Sequence, residues 1–168
     1  YFPGHYDVIH PGADLLQRPE PSGEPPRIVF SAEEERGALR LFLRALRRLP
    51  VEIDWHATIW LRNPDSAPVV TLPRRLRDRV HLAGPTDGSE AQHLSRATIA
   101  VAASSGSAPA PQLVLRALAG GAVPVVSRLP QYEELMRDGE FGPLFEPRDA
   151  LTLAAIFAHE HALLAVVH

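Results

Sequence analysis

The sequence predicts a Rossmann-like α/β domain of three layers, with helices on both faces of a mostly parallel sheet. Three observations predict it. From Pro26 onward, short β-rich runs alternate with longer stretches of helical period, the pattern of βαβ units. Continuous apolar runs such as Val123-Pro124-Val125-Val126 suit strands covered on both faces better than a half-exposed, alternating sheet. The 168 residues, 45% hydrophobic and 22% charged, suit one domain with a core of ordinary size, and two full domains would be cramped. A single domain over residues 1–168 is therefore expected.

In chain order, strands are expected at Asp7 to His10, Arg27 to Phe30, Thr58 to Leu61, Val80 to Ala83, Ile99 to Ala103, Val123 to Ser127 and Pro143 to Phe145. The clearest helix follows Ser31. Leu39, Phe42, Leu43 and Leu46 fall at i, i+3, i+4 and i+7, while Arg40, Arg44, Arg47 and Arg48 occupy other faces. Ser31 and Glu34 have capping-box spacing, which predicts a helix start in which each side chain satisfies an orphan backbone N–H. The acidic run Glu33-Glu34-Glu35 reads as part of that helix start. Further helices are predicted over Ser89 to Arg96, Gln112 to Ala119, Gln131 to Met136 and Ala150 to Ala165. The proline-rich stretch Pro11 to Pro26 reads as an extended surface connection. No internal repeat is found.

Several function classes are disfavoured by composition. A net charge of -3 and a pI of about 6.2 give no general reason to expect a nucleic-acid partner. There is no cysteine, so disulfides and thiolate metal sites are excluded, and a cytoplasmic location is the default expectation. The longest uncharged stretch, Thr98 to Leu115, is broken by serines and prolines and falls short of a membrane span. The first residues form no signal peptide, and the ends read as cuts through a longer protein. His159 and His161 sit two apart on a predicted helix and point to different faces, and His10, His56, His81 and His93 are scattered, so no metal site is expected. Trp55 and Trp60 read as core or sheet-edge aromatics rather than sugar-stacking platforms. A glycine flanks Ser105 on one side only, without the nucleophile-elbow spacing, which argues against a serine hydrolase.

The order of the pieces carries a resemblance. The start, Tyr1-Phe2-Pro3-Gly4-His5-Tyr6-Asp7-Val8-Ile9-His10-Pro11-Gly12-Ala13-Asp14, is followed by Phe30 to Gly37 with its leucine-rich helix and then by Arg79-Val80-His81-Leu82-Ala83-Gly84. The densest stretch runs from Ile99 through Ser104-Ser105 and Leu113-Val114-Leu115-Arg116-Ala117-Leu118-Ala119 to Val126. The stretch from Tyr132 to Pro147 closes the series. This order resembles the C-terminal half of the retaining sugar-nucleotide enzymes of glycosyltransferase family 4, over nearly the whole chain. The resemblance implies the C-terminal half of a GT-B fold that binds a nucleotide diphosphate sugar, transfers a hexose with retention, and needs no metal or other cofactor. It also implies an N-terminal domain as partner, leaves peripheral membrane association of the parent open, and makes the isolated half inactive, with no catalytic residue of its own.

A sugar-nucleotide donor builds up charge on its pyrophosphate as the glycosidic bond breaks, so its site needs cations and free backbone N–H groups. The helix opening near Pro111-Gln112-Leu113 follows a strand and is placed to present such donors. The resemblance thus implies donor-site roles for Arg36, Gly37, Ser104, Ser105, Gln112, Leu113 and Arg116. Arg36 stands where the family has a lysine, with Gly37 after it, whereas Ser31 or Ala32 replaces the family's arginine. Ala108 and Arg116 fall where the family has two glutamates, and no acidic residue lies between Ile99 and Leu129. Pro109, Ala110 and Pro111 replace a glycine-rich loop. Each cation also has a plainer reading, Arg36 as an exposed helix-start arginine and Arg116 as a solvated one, and the two serines equally suit turn backbone. These departures motivate an alternative, a non-catalytic glycosyltransferase-like domain kept for binding or scaffolding. A sugar-nucleotide epimerase is a third reading, and the opening segment and leucine-rich helix favour a transferase over it.

Overall fold

The computed structural model describes residues 12–20, 23–66 and 70–166, so the predicted strand from Asp7 to His10 lies outside the described residues. Six strands follow: β1 (Arg27–Ser31), β2 (His56–Trp60), β3 (Val80–Ala83), β4 (Ile99–Ala102), β5 (Val123–Ser127) and β6 (Leu144–Phe145). Between and after them run α1 (Arg36–Leu46), α2 (Glu90–Ser95), α3 (Pro111–Ala119), α4 (Pro130–Leu135) and α5 (Ala150–Val166). The strands form one sheet in the order β3-β2-β1-β4-β5-β6, every pair parallel. The fold is thus the expected Rossmann-like α/β arrangement. The chain winds outward from β1 to β3, returns to lay β4 beside β1, and winds the other way to β6. Beyond the carboxyl ends of β1 and β4, at this reversal, lie the loops 32–35 and 103–110, the place where open α/β sheets receive ligands.

Alternation along each strand divides the core between the two faces. Ile28, Phe30, Ile99, Val101 and Val125 point to the side covered by α1 and α5, where Phe30 and Phe42 stack at 5.0 Å and Phe157 meets Phe42 edge-on at 6.2 Å. Val29 and Ala100 point the other way, against Leu94 of α2 and Ala117 of α3. Ala102 and Val126 meet Leu113, Tyr132 and Met136 of α3, α4 and the turn beyond it. On α1, Leu39, Phe42 and Leu46 are buried and Arg40 and Arg44 exposed, as the helical period requires.

Pro124 occupies a central strand without breaking it. The Val126 and Arg128 N–H groups donate toward β6, to Pro143 and Phe145, and Val123 donates to Thr98 beside β4. Position 124 therefore faces the β6 side before β6 has begun, where no ladder bond is lost. Gly142 permits the close approach of β6, since a Cβ there would stand 2.3 Å from the Pro124 carbonyl oxygen.

Two expectations are corrected. β2 begins at His56 rather than Thr58, because the His56 N–H already bonds the Pro26 carbonyl at 3.0 Å, and it ends at Trp60. The Ser31 and Glu34 capping box does not form. Ser31 completes β1 opposite Trp60 and donates its hydroxyl to Glu90, α1 starts only at Arg36, and the Glu34 carboxylate is used elsewhere. The connection over residues 12–20 and 23–26 has no regular structure, as expected, and is tied down by the Leu16 N–H on the Ala119 carbonyl and by Arg18 on that of Gly121. Among the described residues no helix is long and apolar enough to cross a membrane.

Candidate functional site

The two loops at the reversal are locked together by carboxylates. Beyond β1 the chain turns tightly, with the Glu33 N–H on the Ser31 carbonyl at 2.9 Å, and Glu35 takes the residue before α1 with extended backbone. Neither Glu34 nor Glu35 caps the helix. Both side chains cross to the loop after β4.

Glu34 takes the inner position. Its Oε2 accepts the Ala103 N–H at 2.7 Å, and its Oε1 accepts the Ser104 N–H at 3.0 Å together with the Tyr132 hydroxyl. The same Tyr132 oxygen accepts the Ala110 N–H at 2.8 Å, which ties α4 to the start of α3. Burial raises the Glu34 carboxyl to about 7, against the hydrogen bonds from Tyr132, Ala103 and Ser104 that favour its charge. Burial and the neighbouring Glu34 charge likewise raise the Tyr132 phenol well above its ordinary range.

Glu35 takes the outer position. Its Oε1 accepts the Ser105 N–H at 2.5 Å and the Ser105 hydroxyl at 3.0 Å, and its Oε2 accepts the Ser104 hydroxyl at 2.7 Å and the Ala108 N–H at 3.2 Å. Partial burial alone would raise this carboxyl, but the bonds from the Ser105 N–H and the Ser104 hydroxyl outweigh it and lower it to about 2. Ser104 itself is fixed by the Gly106 N–H on its hydroxyl at 3.0 Å and by the Ser127 hydroxyl on its carbonyl at 2.6 Å. The acidic run therefore fills the receptive edge of the sheet instead of opening a helix.

Arg116 completes the arrangement on the other side. It pairs with Glu33 and sits 2.7 Å, nitrogen to oxygen, from Glu90, whose carboxylate also takes the Ser31 hydroxyl. With 28% of its side chain exposed, this arginine is an internal ion-pair partner linking α3 to α2 and to the loop after β1. Burial, and next the Glu90 carboxylate, raise Glu33, while Arg116 and Arg62 pull it back.

The structure thus brings Ser104 and Ser105 to the rim with their hydroxyls on Glu35, and places Arg116 beside it in a salt-bridge cluster. Arg36 and Gly37 open α1, with Arg36 exposed. Gln112 is exposed on the first turn of α3, whereas Leu113 is buried against Tyr132 and Met136 and its N–H bonds the Ala110 carbonyl. Trp60 is buried, with its indole N–H on the Gly88 carbonyl, and Trp55 packs under Arg79. Sequence reading missed Glu34, Glu35, Glu90, Ser127 and Tyr132. Their signal was a contrast: three consecutive acids after β1 face a segment free of acids after β4. Among the described residues, no group of His, Asp and Glu is placed to hold a metal ion.

With this geometry in hand, comparisons with known proteins give the fold a family. The family model described as glycosyl transferases group 1 matches residues 25–159. A glycosyltransferase from Rickettsia africae superposes with a TM-score of 0.67 at 16% identity, covering 86% of this chain and 39% of that one. HepE from Anabaena, solved with UDP and glucose, gives 0.65 at 16% identity, covering 83% and 41%. The catalytic domain of cholesterol-alpha-glucosyltransferase from Helicobacter pylori gives 0.57 at 19% identity, covering 81% and 86%. This chain thus spans about two fifths of the first two proteins, and at these identities the likeness is one of fold. No curated protein matches it.

Proposed function

We propose a function from one premise: this chain belongs to the glycosyl transferases of group 1. Its fold is that of a nucleotide-sugar glycosyl transfer domain. Within that frame it is the C-terminal, donor-side half of a longer two-domain protein, and it serves as a non-catalytic binding or scaffolding module. One observation carries this reading. The donors at the carboxyl edge of β4, which a pyrophosphate would need, are held by the chain's own Glu34 and Glu35. An incoming phosphate would meet the charged Glu35 carboxylate at close range, with Glu34 behind it, and like charge there opposes its binding.

The transferase reading, in which this half holds a nucleotide diphosphate hexose for retaining transfer, keeps one specific support. Arg36 stays exposed at the start of α1, next to the rim and free to turn toward a ligand's charge. The UDP and glucose bound to the Anabaena structure name the ligand class to try first. Titration of the domain with UDP, ADP, GDP and UDP-glucose, followed by melting temperature, decides between the two. The module reading expects no shift at millimolar ligand. A saturable shift, weakened by Arg36→Ala, would restore the transferase reading.

A further inference from the structure

We propose that the loop 103–108 is a latent oxyanion site and that Glu35 is its built-in competitor, an internal carboxylate held where a phosphate group would otherwise bind. The inference rests on the reading above, in which the rim is occupied from within, and adds that the occupation is displaceable.

The donor set is that of an anion site. Two backbone N–H groups, of Ser105 and Ala108, and two hydroxyls, of Ser104 and Ser105, converge on both oxygens of one carboxylate. Convergent main-chain N–H groups and hydroxyls of this kind hold phosphates and carboxylates alike, because both present oxygens that only accept. The occupant arrives from 70 residues away in sequence, so nothing in the loop itself requires a glutamate there.

The two glutamates differ in how firmly they are held. Glu34 is packed beneath Tyr132, and removing it would strand the Ala103 and Ser104 N–H groups inside the protein. Glu35 lies at the outer end, beside the exposed Gly106 and Ala108. Beyond a contact with its own backbone N–H, its side chain makes no capping bond to α1, so swinging outward leaves the helix intact. A phosphate taking its place would satisfy the same donors. With its carboxyl lowered to about 2, Glu35 is an anion throughout the neutral range and competes at every pH of interest. Binding to a covered site is weakened by the fraction of time that it is open, so taking the cover away should reveal the affinity beneath.

The test is Glu35→Ser, which removes the carboxylate and leaves a favoured residue before the helix, with Glu35→Gln as a milder variant that removes only the charge. Inorganic pyrophosphate and UDP are titrated against wild type and both variants by calorimetry, after circular dichroism and cooperative melts confirm folding. Glu35→Ser is expected to bind pyrophosphate roughly tenfold or more tightly than wild type, and Glu35→Gln to gain in the same direction. Folded variants with no gain would overturn the inference while leaving the module reading intact. Saturable binding by wild type would instead sink the module reading, and the comparison with Glu35→Ser would still judge the competitor.

Discussion

Glu34 should make the stability of this domain depend on pH in a way that a single substitution can isolate. Its carboxyl is raised from 4.5 to about 7 by burial. The folded state therefore binds the proton more tightly than the unfolded chain does, and the resulting stability is full below pH 4.5 and lost as pH rises through about 7. At about 1.4 kcal/mol for each unit of pKa, the whole effect is roughly 3 kcal/mol, of which about 2.5 kcal/mol falls between pH 5 and 8. Burial lowers His93, which works in the opposite sense over part of that window, so wild type alone gives an ambiguous slope. The comparison is with Glu34→Gln, which cannot ionise. Its amide turns an N–H₂ toward one of the two backbone donors, and it should be less stable than wild type by about 1–3 kcal/mol at pH 5. Urea melts of both proteins at pH 5 and pH 8 make the measurement. Wild type should lose about 2.5 kcal/mol more than the variant on going to pH 8, which closes or reverses the gap. Parallel losses would mean that Glu34 ionises normally, outside the contact with Tyr132, and the self-occupied rim would fall with it.

Two further substitutions probe other parts of the structure. Arg116→Ala leaves Glu33 and Glu90 facing each other with only the exposed Arg62 beside Glu33, and should cost about 2 kcal/mol in denaturant melts. Full stability in that variant would show that the cluster is solvated. Gly142→Ala places a Cβ 2.3 Å from the Pro124 oxygen and 2.9 Å from Met136 Cε, so β6 has to shift, at about 2 kcal/mol. Hydrogen exchange should then speed up at the Val126 and Arg128 N–H groups, which β6 protects, with little change between β1 and β4. A uniform change across the sheet would refute a local clash.

The fold was legible because its signals are local. The apolar runs that become β3 and β5 keep their expected limits, and the period of α1 places Leu39, Phe42 and Leu46 inside and Arg40 and Arg44 outside without any knowledge of the sheet. The rim was not legible, for the opposite reason. Ser31 and Glu34 satisfy a local rule for a helix start, and the rule fails because the bare N–H groups of Ala103 and Ser104 offer Glu34 more than the helix can. Those donors become neighbours of Glu34 only when the reversal of winding lays β4 against β1. The same juxtaposition recasts Arg116. Read along the chain, it is a cation standing where the resemblance expects an acid, and so a candidate grip on a donor. In the fold it faces Glu33 from the loop after β1 and Glu90 from α2, and its charge is spent within the domain. The acids after β1 and the missing acids after β4 are therefore two halves of one fact. Carboxylates from one loop meet the donors and the cation of the other, and substitutions on either side should be read against their partners across the reversal.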